Sequence, residues 1–146
     1  SAEFRDVIRQ MVGKPLTDQQ IDDAWNSFLV DIPTYKLDLL LKLREKYVVY
    51  LLSNTNDIHW KWSCENVFPY RGFQVEDYFE RIYLSFEMKM VKPDTEIFET
   101  VLADANIDPK ETFFIDDSEA NCLAAQALGI STYTPQANED WSHIFN

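Results

Sequence analysis

Three short polar clusters in the sequence could do chemistry, and each adjoins an apolar run. Ser53-Asn54-Thr55-Asn56 follows Tyr47-Val48-Val49-Tyr50-Leu51-Leu52. A hydroxyl and successive backbone N–H groups at the mouth of a helix can hold an anion such as a phosphoryl group. Taken alone, the same string is a polar turn and helix cap, which Ser and Asn make in many proteins. Asp116-Asp117 follows Thr112-Phe113-Phe114-Ile115. Two adjacent carboxylates after an apolar strand repel each other and lose solvation unless something compensates. A hard cation such as Mg²⁺, which takes one or two carboxylates and keeps several waters, would do so. Helix capping by Asp117 or Ser118 would account for only one of these residues. Lys92-Pro93-Asp94 lies between the two clusters. A Lys at the opening of a helix can reach a cleft as a point charge and neutralise phosphate or carboxylate.

The elements that must carry these clusters are legible from periodicity. Phe4, Val7, Ile8, Met11 and Val12 recur at helical spacing and stop at Gly13. Thr17 and Gln20 form a capping-box pattern before Ile21, Ala24, Trp25, Phe28 and Leu29. After Pro33, the leucines at 37, 40, 41 and 43 mark a third helix that ends near residues 44–46. From Tyr47 the pattern becomes strand-like. The run to Leu52 has the continuous apolar character of a strand buried on both faces. Further strands are expected at 82–84, 112–115 and 131–133, with helices at 58–67, 95–105 and 119–128 between them. Alternating strand and helix predicts an α/β fold, a Rossmann-like parallel sheet with helices on both faces. In such sheets reactive groups gather beyond the C-terminal strand ends, where all three clusters fall in order.

Composition narrows the function classes. The 146 residues are 46% hydrophobic and 14% aromatic, enough for one well-filled core. A formal charge of −12 opposes binding to nucleic acid or to an anionic membrane. The charge is uneven, with 13 acids against 4 bases in residues 75–121. Most of that run reads as a solvated face, with a part available to a bound cation. No apolar run reaches the roughly 18 residues of a membrane span, and no signal-peptide core is visible. Cys64 and Cys122 form no metal or redox motif and read as two buried free thiols. The expectation is a soluble, acidic, cytoplasmic domain with no nucleic-acid or membrane partner.

Together the strings Leu52-Ser53-Asn54-Thr55-Asn56, Leu84-Ser85 through Lys92-Pro93-Asp94-Thr95-Glu96-Ile97-Phe98, and Phe114-Ile115-Asp116-Asp117 with Asn121 and Leu128-Gly129-Ile130 resemble the haloacid dehalogenase-like hydrolase superfamily. The likeness is greatest to small phosphatases of the glucose-1-phosphate phosphatase type. It covers essentially the whole chain. It implies that residues 1–46 are the C-terminal part of a helical cap with its return helix, and that 47–146 are the α/β core without its first strand. Carried over by position, Ser53 and the backbone N–H of Asn54 would bind the phosphoryl group, and Lys92 would neutralise phosphoryl and nucleophile charge. Asp117 would be the direct Mg²⁺ ligand, Asp116 would act beside it or through water, and Asn121 would support the loop. The family often has Gly where Lys89 stands, but the Lys-Pro-Asp context points to Lys92 as the functional lysine.

The resemblance implies an aspartyl-phosphate route, in which an Asp nucleophile attacks phosphorus and water hydrolyses the product. The family carries that Asp in an Asp-x-Asp or Asp-x-Gly pattern after its first strand. None of the 14 Asp residues here stands in an Asp-x-Asp or follows an early apolar strand. The expectation is therefore a Mg²⁺-dependent phosphatase of a small phosphorylated metabolite, such as a sugar phosphate. Its nucleophile would come from an N-terminal segment of the same protein or from a second chain, and these residues alone would be inactive. Two rivals are a metal-independent haloacid dehalogenase, which has no use for paired carboxylates, and an inactive fragment serving as a protein-interaction module. The aromatic stretch 59–73, with Trp60 and Trp62, could form a contact surface or pack a loop onto the core. His59 and His143 are isolated and read as packing or surface residues.

Overall fold

Leucines at 37, 40, 41 and 43 give the first described helix its apolar side. The computed structural model describes residues 32–136 and 139–145. The two helices expected before Pro33, with Trp25, lie outside the described residues. The chain divides into two units, 1–84 and 85–146.

In the first unit, α1 (Thr34–Arg44) starts after Pro33 and ends with Lys42 and Arg44 in its last turn, where cations complement the unpaired carbonyls. Strand β1 (Tyr50–Ser53) leads into α2 (Asp57–Asn66), and the one-turn helix α3 (Val75–Tyr78) precedes β2 (Arg81–Leu84). β1 and β2 run parallel in the register Tyr50↔Arg81 to Ser53↔Leu84. Leu37, Phe68, Val75, Tyr78 and Phe79 form the core, with Trp60, Tyr70 and Cys64 packed against it. The Tyr78 hydroxyl donates to the Phe68 carbonyl at 2.9 Å, which satisfies the polar end of a fully buried ring. Phe68 also meets Trp60 and Phe79 at centroid distances of 5.8 and 5.9 Å. Phe68 of the aromatic stretch is thus a core residue with Trp60 packed against it, whereas Phe73 is exposed.

The expected strand over 47–52 is shorter and less covered than its composition implies. Tyr47 is held by the turn that follows α1, where its N–H donates to Leu43 O at 2.8 Å. Tyr47 and Val48 are exposed, and all four residues of β1 are half-buried. That half-burial is not the full cover expected on both faces, and among the described residues β1 pairs with β2 alone.

The second unit contains α4 (Ser85–Met88), α5 (Thr95–Ala105), a 3-10 turn at Pro109–Glu111, β3 (Phe113–Ile115), α6 (Glu119–Gln126), β4 (Ser131–Tyr133) and a last 3-10 turn at Ser142–Phe145. β3 and β4 are parallel, from Phe113↔Ser131 to Ile115↔Tyr133, and α6 packs against both. Helix α5 buries Ile97 and Phe98 and ends at Asn106, whose φ of 53° lets the chain turn back. After α6, Gly129 at φ 90° turns the chain so that Ile130 N–H reaches Ala125 O at 3.3 Å. The α/β class and the parallel pairing agree with the sequence. Among the described residues the four strands form two separate pairs, β1–β2 and β3–β4. No helix among the described residues is long and apolar enough to cross a membrane. Both cysteines are free, but only Cys122 is buried, and Cys64 is half-buried.

Candidate active site

β3 delivers its last residues to a polar turn. The ladder extends one residue beyond the strand, where Asp116 N–H donates to Tyr133 O at 3.2 Å. Ser118 then caps α6 by accepting from Asn121 N–H at 3.3 Å. Capping therefore uses Ser118 and leaves both carboxylates for other work. Asp116 Oδ1 accepts from Ser118 N–H at 2.8 Å. Its Oδ2 accepts from Lys92 Nζ at 2.7 Å and from Asn121 Nδ2 at 3.1 Å. The Lys92 and Asp116 side chains are each only 8% exposed. The Cys122 thiol lies 3.3 Å from Asp116 O, fixing the main chain beneath the turn.

Burial alone would raise the pKa of Asp116. The hydrogen bond and charge of Lys92, with the Ser118 N–H and the Asn121 amide, outweigh burial and hold the carboxyl below its ordinary value. One of the two adjacent carboxylates is thus compensated by a cation of the chain itself. Asp117 is exposed, and among the described residues no hydrogen bond or ion pair engages its carboxylate. The repulsion expected from the sequence is relieved by asymmetry, one carboxylate paired and buried and the other outward and uncommitted.

The two nearby lysines separate by backbone and burial. Lys89 is exposed and sits at φ 56°, a left-handed conformation that favours glycine. Lys92 instead points its ammonium into the buried pair. A hydrogen bond from Met90 N–H to Ser85 O at 3.3 Å helps to shape the loop between α4 and Lys92. Sequence spacing did not reveal that Phe114, on β3, presents its ring to this ammonium at 5.6 Å. Its position two residues before Asp116 was the available signal, because alternate strand residues share a face.

In the first unit, Ser53 closes β1 and is half-buried, and Asn54 is exposed. The cap of α2 is Asn56, whose Oδ1 accepts from His59 N–H at 2.9 Å. The string thus divides into a capping residue and a strand-end hydroxyl not used for the cap. His59 is half-buried, and burial lowers its pKa. The ring of His143 places Nδ1 3.1 Å from Asp140 O at the surface.

A divalent cation can be tested against these groups. Among the described residues no set of three or more His, Cys, Asp or Glu could hold a metal ion. Mg²⁺ does not need such a cage, since one or two carboxylates with waters and substrate oxygens suffice. Asp117 fits that partial role by its exposed, uncommitted carboxylate.

The chain is 37% identical over 139 residues to the D-ribitol-5-phosphate phosphatase of Bacteroides thetaiotaomicron, spanning 95% of this chain and 68% of that protein. Residues 69–134 match the haloacid dehalogenase-like hydrolase family. The chain belongs to the haloacid dehalogenase-like hydrolases. A crystal structure of a family enzyme from Bacteroides thetaiotaomicron, wild type and in complex with magnesium and inorganic phosphate, superposes with a TM-score of 0.98. That protein is 78% identical, and the match covers 99% of this chain and 73% of it. A sesquiterpene phosphatase of Aspergillus oryzae is 32% identical over 101 residues, which are 63% of this chain and 44% of that protein. Family membership places Asp116-Asp117 and Lys92-Pro93 inside the matched segment, while Ser53 lies before it.

Proposed function

We propose that this chain carries much of a Mg²⁺-dependent phosphatase that acts on a small phosphorylated metabolite, a sugar or sugar-alcohol phosphate. The carrying observation is the buried Lys92–Asp116 pair at 2.7 Å beside the uncommitted carboxylate of Asp117. The identity to a D-ribitol-5-phosphate phosphatase supports the substrate class.

In this reading Lys92 is the cation that meets the phosphoryl oxygens, and Asp116 fixes its position. A phosphoryl group gains negative charge that needs pre-placed donors, because rearranging donors during the reaction would raise the barrier. Bound Mg²⁺ would neutralise charge at the transferring group, with Asp117 as its ligand from this chain. Asp116 stays ionised and binds Lys92, so it is suited to act beside the ion and not as its principal ligand. Asn121 and Ser118 keep the Asp116 carboxylate from turning toward the ion. Ser53, by its hydroxyl, and Asn54, by its backbone N–H, are assigned to phosphoryl oxygens by the family likeness. The nucleophilic aspartate, which would form the aspartyl phosphate, is assigned to a segment outside these 146 residues. Among the described residues β1 and β3 each have one strand partner, which supports that assignment.

The test is hydrolysis of D-ribitol 5-phosphate by the intact protein, with Mg²⁺ and then with EDTA, after its denaturing mass has been measured. Phosphate release that EDTA abolishes is expected. Full phosphate release in EDTA would overturn the Mg²⁺ requirement, and no phosphate release in either condition would favour the dehalogenase reading. A sample of 17.2 kDa that is fully active would overturn the external nucleophile.

A further inference from the structure

The Lys92 ammonium meets an aromatic face as well as a carboxylate. Its Nζ lies 5.6 Å from the Phe114 ring centroid while donating to Asp116 at 2.7 Å. Phe114 and Asp116 are two residues apart along an extended segment, so their side chains leave the same face of the β3–β4 ladder. Phe113, between Thr112 and Phe114, leaves the opposite face, is 48% exposed and meets Phe145 instead. The Phe114 ring is itself held by Phe98, 2% exposed, edge to face at 5.3 Å and 84°. Phe98 is fixed by α5, the helix that Lys92 and Pro93 lead into.

We propose that Phe114 is a positioning residue for Lys92, its ring face helping to hold the ammonium over the strand end in the orientation in which it meets the phosphoryl group. The inference rests on the reading of Lys92 as the phosphoryl-binding cation. Its physical basis is the low exposure of the pair. An ammonium withdrawn from water needs a replacement for hydration on each side. A carboxylate supplies one side, and the negative face of an aromatic ring supplies another without competing for N–H donors. An aliphatic side chain of equal volume would fill the space without the electrostatic attraction of the ring face. Phe98 makes the platform rigid, because edge-to-face packing fixes the ring plane.

The experiment uses the intact protein with phenylalanine, mono-, di- and trifluorophenylalanine, tyrosine and leucine at position 114. Fluorine withdraws charge from the ring face with little change in shape. With p-nitrophenyl phosphate and Mg²⁺, kcat/KM should fall stepwise with fluorine number while the thermal midpoint stays constant. Phe114→Leu should lower kcat/KM by roughly three- to thirtyfold, the range for loss of a cation–π contact, and Phe114→Tyr should retain most of it. A second readout does not depend on activity. The ε-CH₂ protons of Lys92, assigned by their loss in Lys92→Met, should be shifted upfield by the ring and should return to ordinary positions in Phe114→Leu. Equal kcat/KM across the fluorinated series, or no upfield shift in the wild type, overturns the proposal. A protein without phosphatase activity would sink the functional reading, and the NMR arm would still decide whether Phe114 holds the ammonium.

Discussion

Lys92 Nζ and Asp116 Oδ2 lie 2.7 Å apart across 24 residues of sequence, and neither side chain is more than 8% exposed. A buried pair of this kind is an unstable thing to halve. Lys92→Met leaves Asp116 buried with only the Ser118 N–H and the Asn121 amide, and removal of one partner of a buried pair typically costs about 3–5 kcal/mol. The expected result is a large drop in the denaturation midpoint together with loss of phosphatase activity by about a hundredfold or more. Lys92→Met combined with Asp116→Leu should recover most of the stability and none of the activity. A double variant as unstable as Lys92→Met would show that the pair is not what the stability loss reflects.

The pair also sets a pH dependence with a definite sign. The folded-state pKa of Asp116 is depressed, since Lys92, Ser118 and Asn121 together overcome the opposing effect of burial. An unfolded Asp titrates near about 3.9. The stabilisation from Asp116 is therefore fully present above that value and is lost as pH falls through the lower, folded-state value. Urea midpoints measured from pH 7 down to pH 2 should fall in the acid range, and Asp116→Asn should flatten part of that fall. An unchanged acid limb in Asp116→Asn would assign the pH dependence to other carboxylates.

The adjacent carboxylates should respond differently to the same substitution. Asp117 is exposed and makes no hydrogen bond or ion pair among the described residues, so Asp117→Asn should leave the thermal midpoint almost unchanged. Its effect should fall on the cation. The Mg²⁺ concentration for half-maximal activity should rise about tenfold or more, in line with loss of one of few direct carboxylate ligands. Asp116→Asn should show the reverse balance, with a lower midpoint and a smaller change in Mg²⁺ requirement. Magnesium titrations beside thermal scans of both variants make the comparison, and identical behaviour would refute the division of labour.

The sequence revealed the periodic elements well and the pairwise contacts poorly. Helix α5 was legible over Thr95–Ala105 because its apolar residues repeat at helical spacing. The strand run at 47–52 misled at its start, since composition reports apolarity but not where the turn after α1 gives way to the strand. Tyr47 and Val48 precede β1 and are exposed. The one-turn helices Val75–Tyr78 and Ser85–Met88 are too short to show a period. Asp116-Asp117 and Lys92 stood out by residue type. Which carboxylate takes the lysine depends on how β3 turns into α6, through the Ser118 cap and the Asn121 amide, and neither is written in spacing alone. In the sequence Phe114 is one apolar residue of a short run, and only the fold sets its ring against the Lys92 ammonium.

Lys89 offers the last test, because it is where the family often carries glycine. Its φ of 56° places a side chain where Cβ crowds the backbone, a conformation that costs an ordinary residue about 1 kcal/mol or more. Glycine adopts it freely but loses more chain entropy on folding. The balance predicts that Lys89→Gly stabilises the protein by about 0.5–1 kcal/mol. Since the Lys89 side chain is exposed and the buried pair belongs to Lys92, kcat/KM should stay within about twofold of the wild type, as for a surface change outside a network. Denaturant midpoints and phosphatase kinetics on Lys89→Gly check both halves. A tenfold loss of kcat/KM in Lys89→Gly would transfer the cationic role from Lys92 to Lys89 and would remove the basis for placing the phosphoryl group beside Asp116.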